Sequence, residues 1–159
     1  MSALALDLLP AYKIAREDYF EVIEEGKNIL PEHKAELSIY QDIPLNPDYT
    51  VYEALAKSGI LALYTVRVAG EMVGYAVYLV RKHAHYKDYT WAVSDIILVR
   101  KPYRQFGLGN ALFAFIEHDL RAQGVDVIHT MTKTAHPELA MLLQSRGHQL
   151  AETSFSKRL

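Results

Sequence analysis

The chain has 159 residues, half of them hydrophobic and 23% charged, which suits one globular domain with a core and leaves no room for a second of ordinary size. A formal charge of −2 lacks the basic footprint that binding along a nucleic acid demands. With no cysteine, disulfides, thiolate metal sites and cysteine nucleophiles are excluded, and no apolar run nears the roughly 20 residues a bilayer span needs. A cytoplasmic protein with no membrane association is expected. Met1–Leu6 is apolar, but Asp7 interrupts it and no basic segment leads it, so a signal peptide is not expected. The eleven tyrosines are read as packing residues of core and strands.

Residues 1–59 read as helix and loop. Tyr19, Val22 and Ile23 fall at helical spacing within Ile14–Asn28. Pro31 is expected to open a second helix reaching about Ile39, since proline suits a first turn. The turn-rich Pro44–Asp48 follows, then a third helix with Val51, Leu55 and Ala56 on one face and Gly59 as its stop.

From Ile60 the period changes. Ile60–Val68 and Met72–Val80 are rich in β-formers and flank the tight turn Ala69-Gly70-Glu71, which predicts an antiparallel hairpin. A looser polar stretch, Arg81–Lys87, leads to a third strand over about Tyr89–Val99. Gly107–Gln123 places Leu108, Ala111, Leu112, Phe115, Ile116 and Leu120 at the spacing of a helix buried on one side. Val125–Thr130 is expected as a strand, Pro137–Arg146 as a helix stopped by Gly147, and Leu150–Phe155 as a final strand. The order implies an α/β domain, mixed α+β, with a mostly antiparallel sheet flanked by helices on both faces.

The stretch that carries chemistry is Val99–Asn110, a strand feeding a loop with Gly107 and Gly109 and then at once a long amphipathic helix. Glycines allow close approach of a ligand and left-handed backbone, and a helix N-terminus offers unpaired N–H groups and partial positive charge. A pyrophosphate is the expected occupant. The third glycine of a Rossmann loop and the Gly-Lys-Ser/Thr of a P-loop are both missing.

Arg104-Gln105-Phe106-Gly107-Leu108-Gly109 resembles the Gln/Arg-x-x-Gly-x-Gly/Ala signature of the GNAT superfamily of N-acetyltransferases. Pro102-Tyr103-Arg104 is similar to that family's approach to the loop, with the proline one residue late. The likeness covers 60–159 well and the N-terminal third loosely. His33-x-x-Glu36, Ile43-Pro44-Leu45-x-Pro47-Asp48, His85-Tyr86-Lys87-Asp88 and Asp95 further resemble a bacteriophage-encoded GNAT subgroup, which implies a host cytoplasm.

The resemblance implies a single GNAT-type domain over 1–159, with 1–59 as a helical acceptor-side region and 60–159 as the sheet and acetyl-CoA-binding core. It implies acetyl-CoA as cosubstrate, no metal, and direct attack by a primary amine of a small molecule or protein. Carried over, Leu98 and Val99 would pair with the pantetheine arm, and the strand backbone near Leu98 would face the oxyanion. Gln105, Phe106, Gly107, Leu108, Gly109 and Asn110 would cradle phosphate oxygens, with Arg104 adding charge. Deprotonating the amine calls for a base. Asp95, four residues before Val99 and beside an apolar stretch, is the first candidate; Glu36 is the next. His33 shares a helix face with Glu36 and is placed with His85 and Tyr86 at the acceptor. His83-x-His85 has no third ligand in sight, and His118, His129, His136 and His148 are read as surface or packing residues. Many family members carry a tyrosine where this chain has Leu143, which leaves the general acid unassigned. The alternatives are a GNAT-fold binding or regulatory module without turnover, and a virion-associated protein; the family also implies a homodimer through C-terminal strands as one arrangement.

Overall fold

The computed structural model describes residues 11–159; the opening Met1–Leu6 lies outside the described residues. Five strands lie side by side in chain order: β1 (Tyr12–Glu17), β2 (Leu61–Val68), β3 (Glu71–His83), β4 (Tyr86–Val99) and β5 (Val127–His129). The first four are antiparallel, and β5 runs parallel to β4. Helices α1 (Tyr19–Leu37) and α2 (Tyr49–Lys57) cover one face. Helices α3 (Leu108–Ala122) and α4 (Pro137–Ser145) belong to the other.

Strand alternation sorts the core into two layers. Ala62, Tyr64, Val66 and Val68 of β2 pack against the α3 stripe Leu108, Leu112, Ile116 and Leu120, all four of which are fully buried. That stripe recurs every four residues, so α3 is held by burial of one face, at about 2–5 kcal/mol for each leucine cut to alanine. The opposite layer joins Tyr19, Val22 and Ile29 of α1 to Leu61, Met72, Tyr75, Val77 and Leu98 of the sheet. The α1 and α2 N-termini are capped by Asp18, accepting from the Phe20 amide at 2.8 Å, and Asp48, accepting from the Thr50 amide at 3.0 Å.

Two irregularities decide which residues reach the α1–α2 face. The register between β2 and β3 shifts at Val66/Arg67, so Met72 and Tyr75, three apart, share that face. The register between β3 and β4 shifts again: Val77 pairs with Ile96 and Tyr78 with Ser94, leaving Asp95 as the extra residue of a β-bulge. Ala92 belongs to the α3 layer, yet Ile96 and Leu98 belong to the α1 layer. A regular strand would keep all three on one side. Gly74, opposite Val99, lies so close to β4 that a Cβ there would meet the Leu98 carbonyl oxygen at 2.8 Å.

The structure corrects four sequence expectations. Tyr12–Glu17 is an edge strand, not part of a helix over Ile14–Asn28, because Ile14 gains partners on β2 and the α3 core that no local pattern records. Helix α1 runs unbroken to Leu37 through Pro31, which leaves the Lys27 carbonyl without its usual helical donor. Packing of Val22 and Ile29 before Pro31, with the His33–Tyr75 and Glu36–Arg104 contacts after it, spans that defect. Arg81–Lys87 is no loose connection but the tip of a long hairpin, with β3 ending at His83 and β4 starting at Tyr86. Leu150–Phe155 forms no strand; Leu150 and Phe155 are exposed, and the tail meets the α1–α2 connection through Ser156 with Tyr40 and Arg158 with Asp42. Among the described residues no helix is long and apolar enough to cross a membrane.

The Tyr19 hydroxyl is buried without a hydrogen-bond partner. An unsatisfied buried hydroxyl costs about 1–3 kcal/mol, so Tyr19→Phe is expected to leave stability unchanged or raise it by up to about 1 kcal/mol. Thermal melting of the two proteins checks this; a clear loss in the variant would mean the hydroxyl has a partner.

Candidate active site

The pairing of β5 with β4 covers only Trp91–Val93. Beyond it the Met131 amide donates to the Ser94 hydroxyl at 2.8 Å, and the two strands part. The outer edge of β4 from Asp95 to Val99 is therefore released from the sheet. Val99 faces Gly74, and the Arg100 amide donates to the Val73 carbonyl at 2.8 Å. By antiparallel alternation, Ile97 and Val99 turn their N–H and C=O groups to the open side, while Leu98 turns its own toward β3. Of the two residues expected to pair with a ligand, Leu98 and Val99, it is Val99, with Ile97, whose backbone faces the open edge. The Leu98 side chain is buried in the α1 layer.

The chain then folds back. Lys101–Phe106 forms a 3-10 turn, Gly107 takes a left-handed conformation (φ 76°, ψ 8°), and α3 begins at Leu108. No side chain caps α3, and its first internal bond is Ala111 N–H to the Gly107 carbonyl at 3.1 Å. The amides of Leu108, Gly109 and Asn110 thus have no acceptor within the helix. This suits a phosphate group, as the sequence expects for Gln105–Asn110. The two glycines differ in role. Gly107 supplies the positive φ, whereas a Cβ on Gly109 would point at Leu142 of α4, at 3.5 Å. The Leu108 side chain is core, and the Asn110 side chain accepts from Arg146 at 2.7 Å. Gln105 is exposed and Phe106 half-buried on the turn.

Arg104 is already committed. Its Nε donates to the Val99 carbonyl at 2.6 Å, and its Nη2 donates to Glu36 at 2.7 Å. Arg104, expected to add charge at a phosphate, clamps the turn to the end of β4 and to α1. Glu36, expected as a base, is held by that guanidinium, which keeps its carboxyl below the usual carboxylate range. A strongly ion-paired carboxylate makes a poor proton acceptor. His136, read from sequence as a surface or packing residue, also meets the Glu36 backbone carbonyl at 3.3 Å. Glu36 thereby joins α1, the turn and the start of α4.

On the α1–α2 face a cavity of about 550 Å³ opens beside the bulge. Its walls include His33, Tyr52, Tyr75 and Ile96, with Ile43–Asp48 across the mouth. Asp95 is exposed, and the Tyr52 hydroxyl donates to it at 2.8 Å. The bulge makes this contact: Asp95 and Ile96 both turn toward α2, which consecutive residues of a regular strand cannot do. The Tyr52 phenol is pushed far above its ordinary value, first by burial and then by the Asp95 carboxylate, so it stays a donor. His33 Nδ1 lies 2.7 Å from the Tyr75 hydroxyl, and the rings stack. Burial, with Lys133 nearby, holds His33 below its usual pKa, so the ring is neutral at pH 7. The charges of Glu36 and Asp95 also reach His33, so Asp95 shares one neighbourhood with two candidates about sixty residues earlier in the chain. Sequence reasoning missed Tyr52, Tyr75 and Lys133, for none carries a spacing that marks it.

His85 and Tyr86 do not join this group. They line a separate depression at the β3–β4 tip, where Tyr86 and His83 surround Trp91. Asp95 lies nine residues further along β4 than Tyr86, about 30 Å of extended chain. Leu143 is buried core, with no hydroxyl to offer. Among the described residues no three His, Asp or Glu side chains converge as metal ligands.

Stability from Glu36 is present above the ordinary glutamate pKa of about 4.3 and fades as pH falls through its lowered folded value. Glu36→Gln is expected to cost on the order of 1–2 kcal/mol at pH 7, with the gap closing below about pH 4. Melting curves of both proteins across this range check it.

The sequence from residue 11 to 147 matches the model of the acetyltransferase (GNAT) family. No curated protein matches. Among solved structures, an aminoglycoside acetyltransferase from an uncultured soil metagenomic sample has a TM-score of 0.72 at 19% identity, covering 94% of this chain and 98% of that one. Ribosomal-protein-alanine N-acetyltransferase from Brucella melitensis biovar Abortus 2308 has a TM-score of 0.72 at 17% identity, covering 94% and 100%. AAC(6')-Iy, in complex with a bisubstrate analog of CoA and acetylneamine, has a TM-score of 0.71 at 16% identity, covering 94% and 98%. At these identities the structures bear on the fold alone. With a released strand edge, an uncapped helix start and a family match across most of its length, the chain belongs to the acetyltransferase (GNAT) family.

Proposed function

We propose that the chain transfers an acetyl group from acetyl-CoA to a primary amine. One observation carries the reading: the open edge, with Ile97 and the Val99 N–H facing out, leads straight into a turn that presents the free amides of Leu108, Gly109 and Asn110. An extended thioester arm ending in a pyrophosphate fits that sequence of donors and acceptors. Neighbours of the same fold that carry a CoA analog or act on amines support it. The motifs shared with the phage subgroup support a setting in a host cytoplasm.

Acetyl-CoA supplies an activated acyl group whose thiolate is a far better leaving group than an alkoxide or amide, so Leu143 does not preclude turnover. This chain's residues do the rest. Asp95, oriented by the Tyr52 hydroxyl, holds the incoming ammonium at the bulge and takes its proton. The outward N–H of Val99 lies on the edge where an oxyanion needs a donor. His33 and Tyr75 wall the acceptor side as a neutral pair, and Glu36 with Arg104 keeps the turn against the end of β4. The second reading, a module that binds without turnover, is favoured by Leu143, and thiol release decides between the two.

Asp95→Asn is expected to lower kcat by about 10²–10³, and Tyr52→Phe by about threefold to tenfold, with acetyl-CoA binding intact in both. Thiol release at saturating amine measures this; full activity in Asp95→Asn would remove Asp95 as the base. Gly107→Val forces a branched side chain into left-handed backbone at about 1–2 kcal/mol, and is expected to weaken acetyl-CoA binding about tenfold. Gly109→Ala, making only ordinary contact with Leu142, is expected to stay within about twofold. Calorimetry with acetyl-CoA compares them, and wild-type affinity in Gly107→Val would argue against the loop as the phosphate site.

A further inference from the structure

The cavity beside Asp95 carries information about the acceptor that the family does not. Its body is apolar: Val22 and Ile23 of α1, Leu61 and Leu63 of β2, Met72 of β3 and Ile96 of β4. The charged side chains on its wall are Lys34, Asp48 and Lys133. Asp48 is spent, since its carboxylate accepts from both the amide and the hydroxyl of Thr50 as the cap of α2, and those bonds lower its pKa. Lys34 and Lys133 would repel a cation. Glu36, just behind His33, is neutralised by Arg104. Asp95 pairs with no arginine, lysine or histidine among the described residues; its partner is the neutral Tyr52 hydroxyl. The site therefore offers one carboxylate to an ammonium and nothing to a second.

We infer that the acceptor is a monoamine with an apolar alkyl or aryl body, and not a polycation such as a polyamine or an aminoglycoside. The ammonium sits on Asp95 at the bulge, and the apolar body fills the cavity between α1, α2 and the sheet. A second ammonium would enter an apolar wall without a counter-charge, beside two lysines, and would lose its water with nothing in return. At about 550 Å³ the cavity is of the size that encloses small-molecule ligands, far more than an amine alone requires. The exposed Ile43 and Leu45 extend the apolar surface to its mouth. The inference rests on the acetyl-transfer reading above.

The test uses the full chain with acetyl-CoA and a series of primary amines from propylamine to octylamine, with 2-phenylethylamine, spermidine and kanamycin alongside. Burial of each added methylene predicts kcat/KM rising about threefold to fourfold per carbon until the cavity is full. Spermidine and kanamycin are expected to be at least about 100-fold poorer than octylamine. Leu45→Asp, at an exposed position, is expected to raise the KM for octylamine about tenfold with the KM for acetyl-CoA and the melting temperature unchanged. A flat alkyl series, a faster polycation, or an unaltered octylamine KM in Leu45→Asp overturns the inference and leaves acetyl transfer standing. Failure to bind acetyl-CoA in calorimetry overturns both.

Discussion

One extra residue in β4 organises the site. Asp95 has no partner on β3, and accommodating it turns Ile96 and Leu98 to the α1–α2 face although Ala92 faces α3. The same few residues mark where β5 stops pairing, because Val93 is the last β4 residue with a β5 partner. A bulge increases local twist and bends the strand that carries it. Three consequences coincide: a carboxylate reaches Tyr52 on the cavity wall, the strand edge beyond it opens, and a hydrophobic floor is laid beneath α1. A regular β4 would lose the first and third together.

The open edge also needs a stable far end, and the ion pairs supply it. Arg104 ties the 3-10 turn to both the Val99 carbonyl and Glu36, while His136 reaches Glu36 from the start of α4. Arg100, one residue past the strand, bonds Glu32 of α1 at 2.9 Å and Glu71 of β3 at 2.8 Å. Across the other layer, Arg146 makes two bonds of 2.8 Å and 2.7 Å to Glu117, fixing the end of α4 to α3. The Arg104–Glu36 and Arg146–Glu117 pairs are partly buried and bidentate, the geometry in which such contacts add order as well as energy.

The two faces of the sheet divide the labour. The α3 layer is continuous and closed, with its leucine stripe sealed against β2 and β3. The α1–α2 layer is split into two smaller clusters, and the cavity runs along both. Such an arrangement keeps stability in one layer and leaves the other free to shape a pocket. It also explains how α1 tolerates Pro31: the helix is held at Val22 and Ile29 before the proline and at His33 and Glu36 after it.

Much of this was legible in the chain. The leucine spacing after Gly107, the alternation of β2 and β3, and the Gly-x-Gly entry to α3 are local patterns, and local patterns are what periodicity detects. His33-x-x-Glu36, Pro44–Asp48 and Asp95 stand out in the sequence; His33 and Pro44–Asp48 line the cavity, and the charges of Glu36 and Asp95 reach His33 on its wall. His85 and Tyr86 were grouped with them by motif alone, and strand length carries them away. Tertiary structure decided what depends on a partner distant in sequence. Tyr12–Glu17 became a strand because β2 offered an edge, and Glu36 became a clamp because Arg104 arrives from 68 residues away. The direction of each side chain along β4 rested on where one residue was bulged, and a period-two pattern cannot show an insertion until the opposing strand is in place.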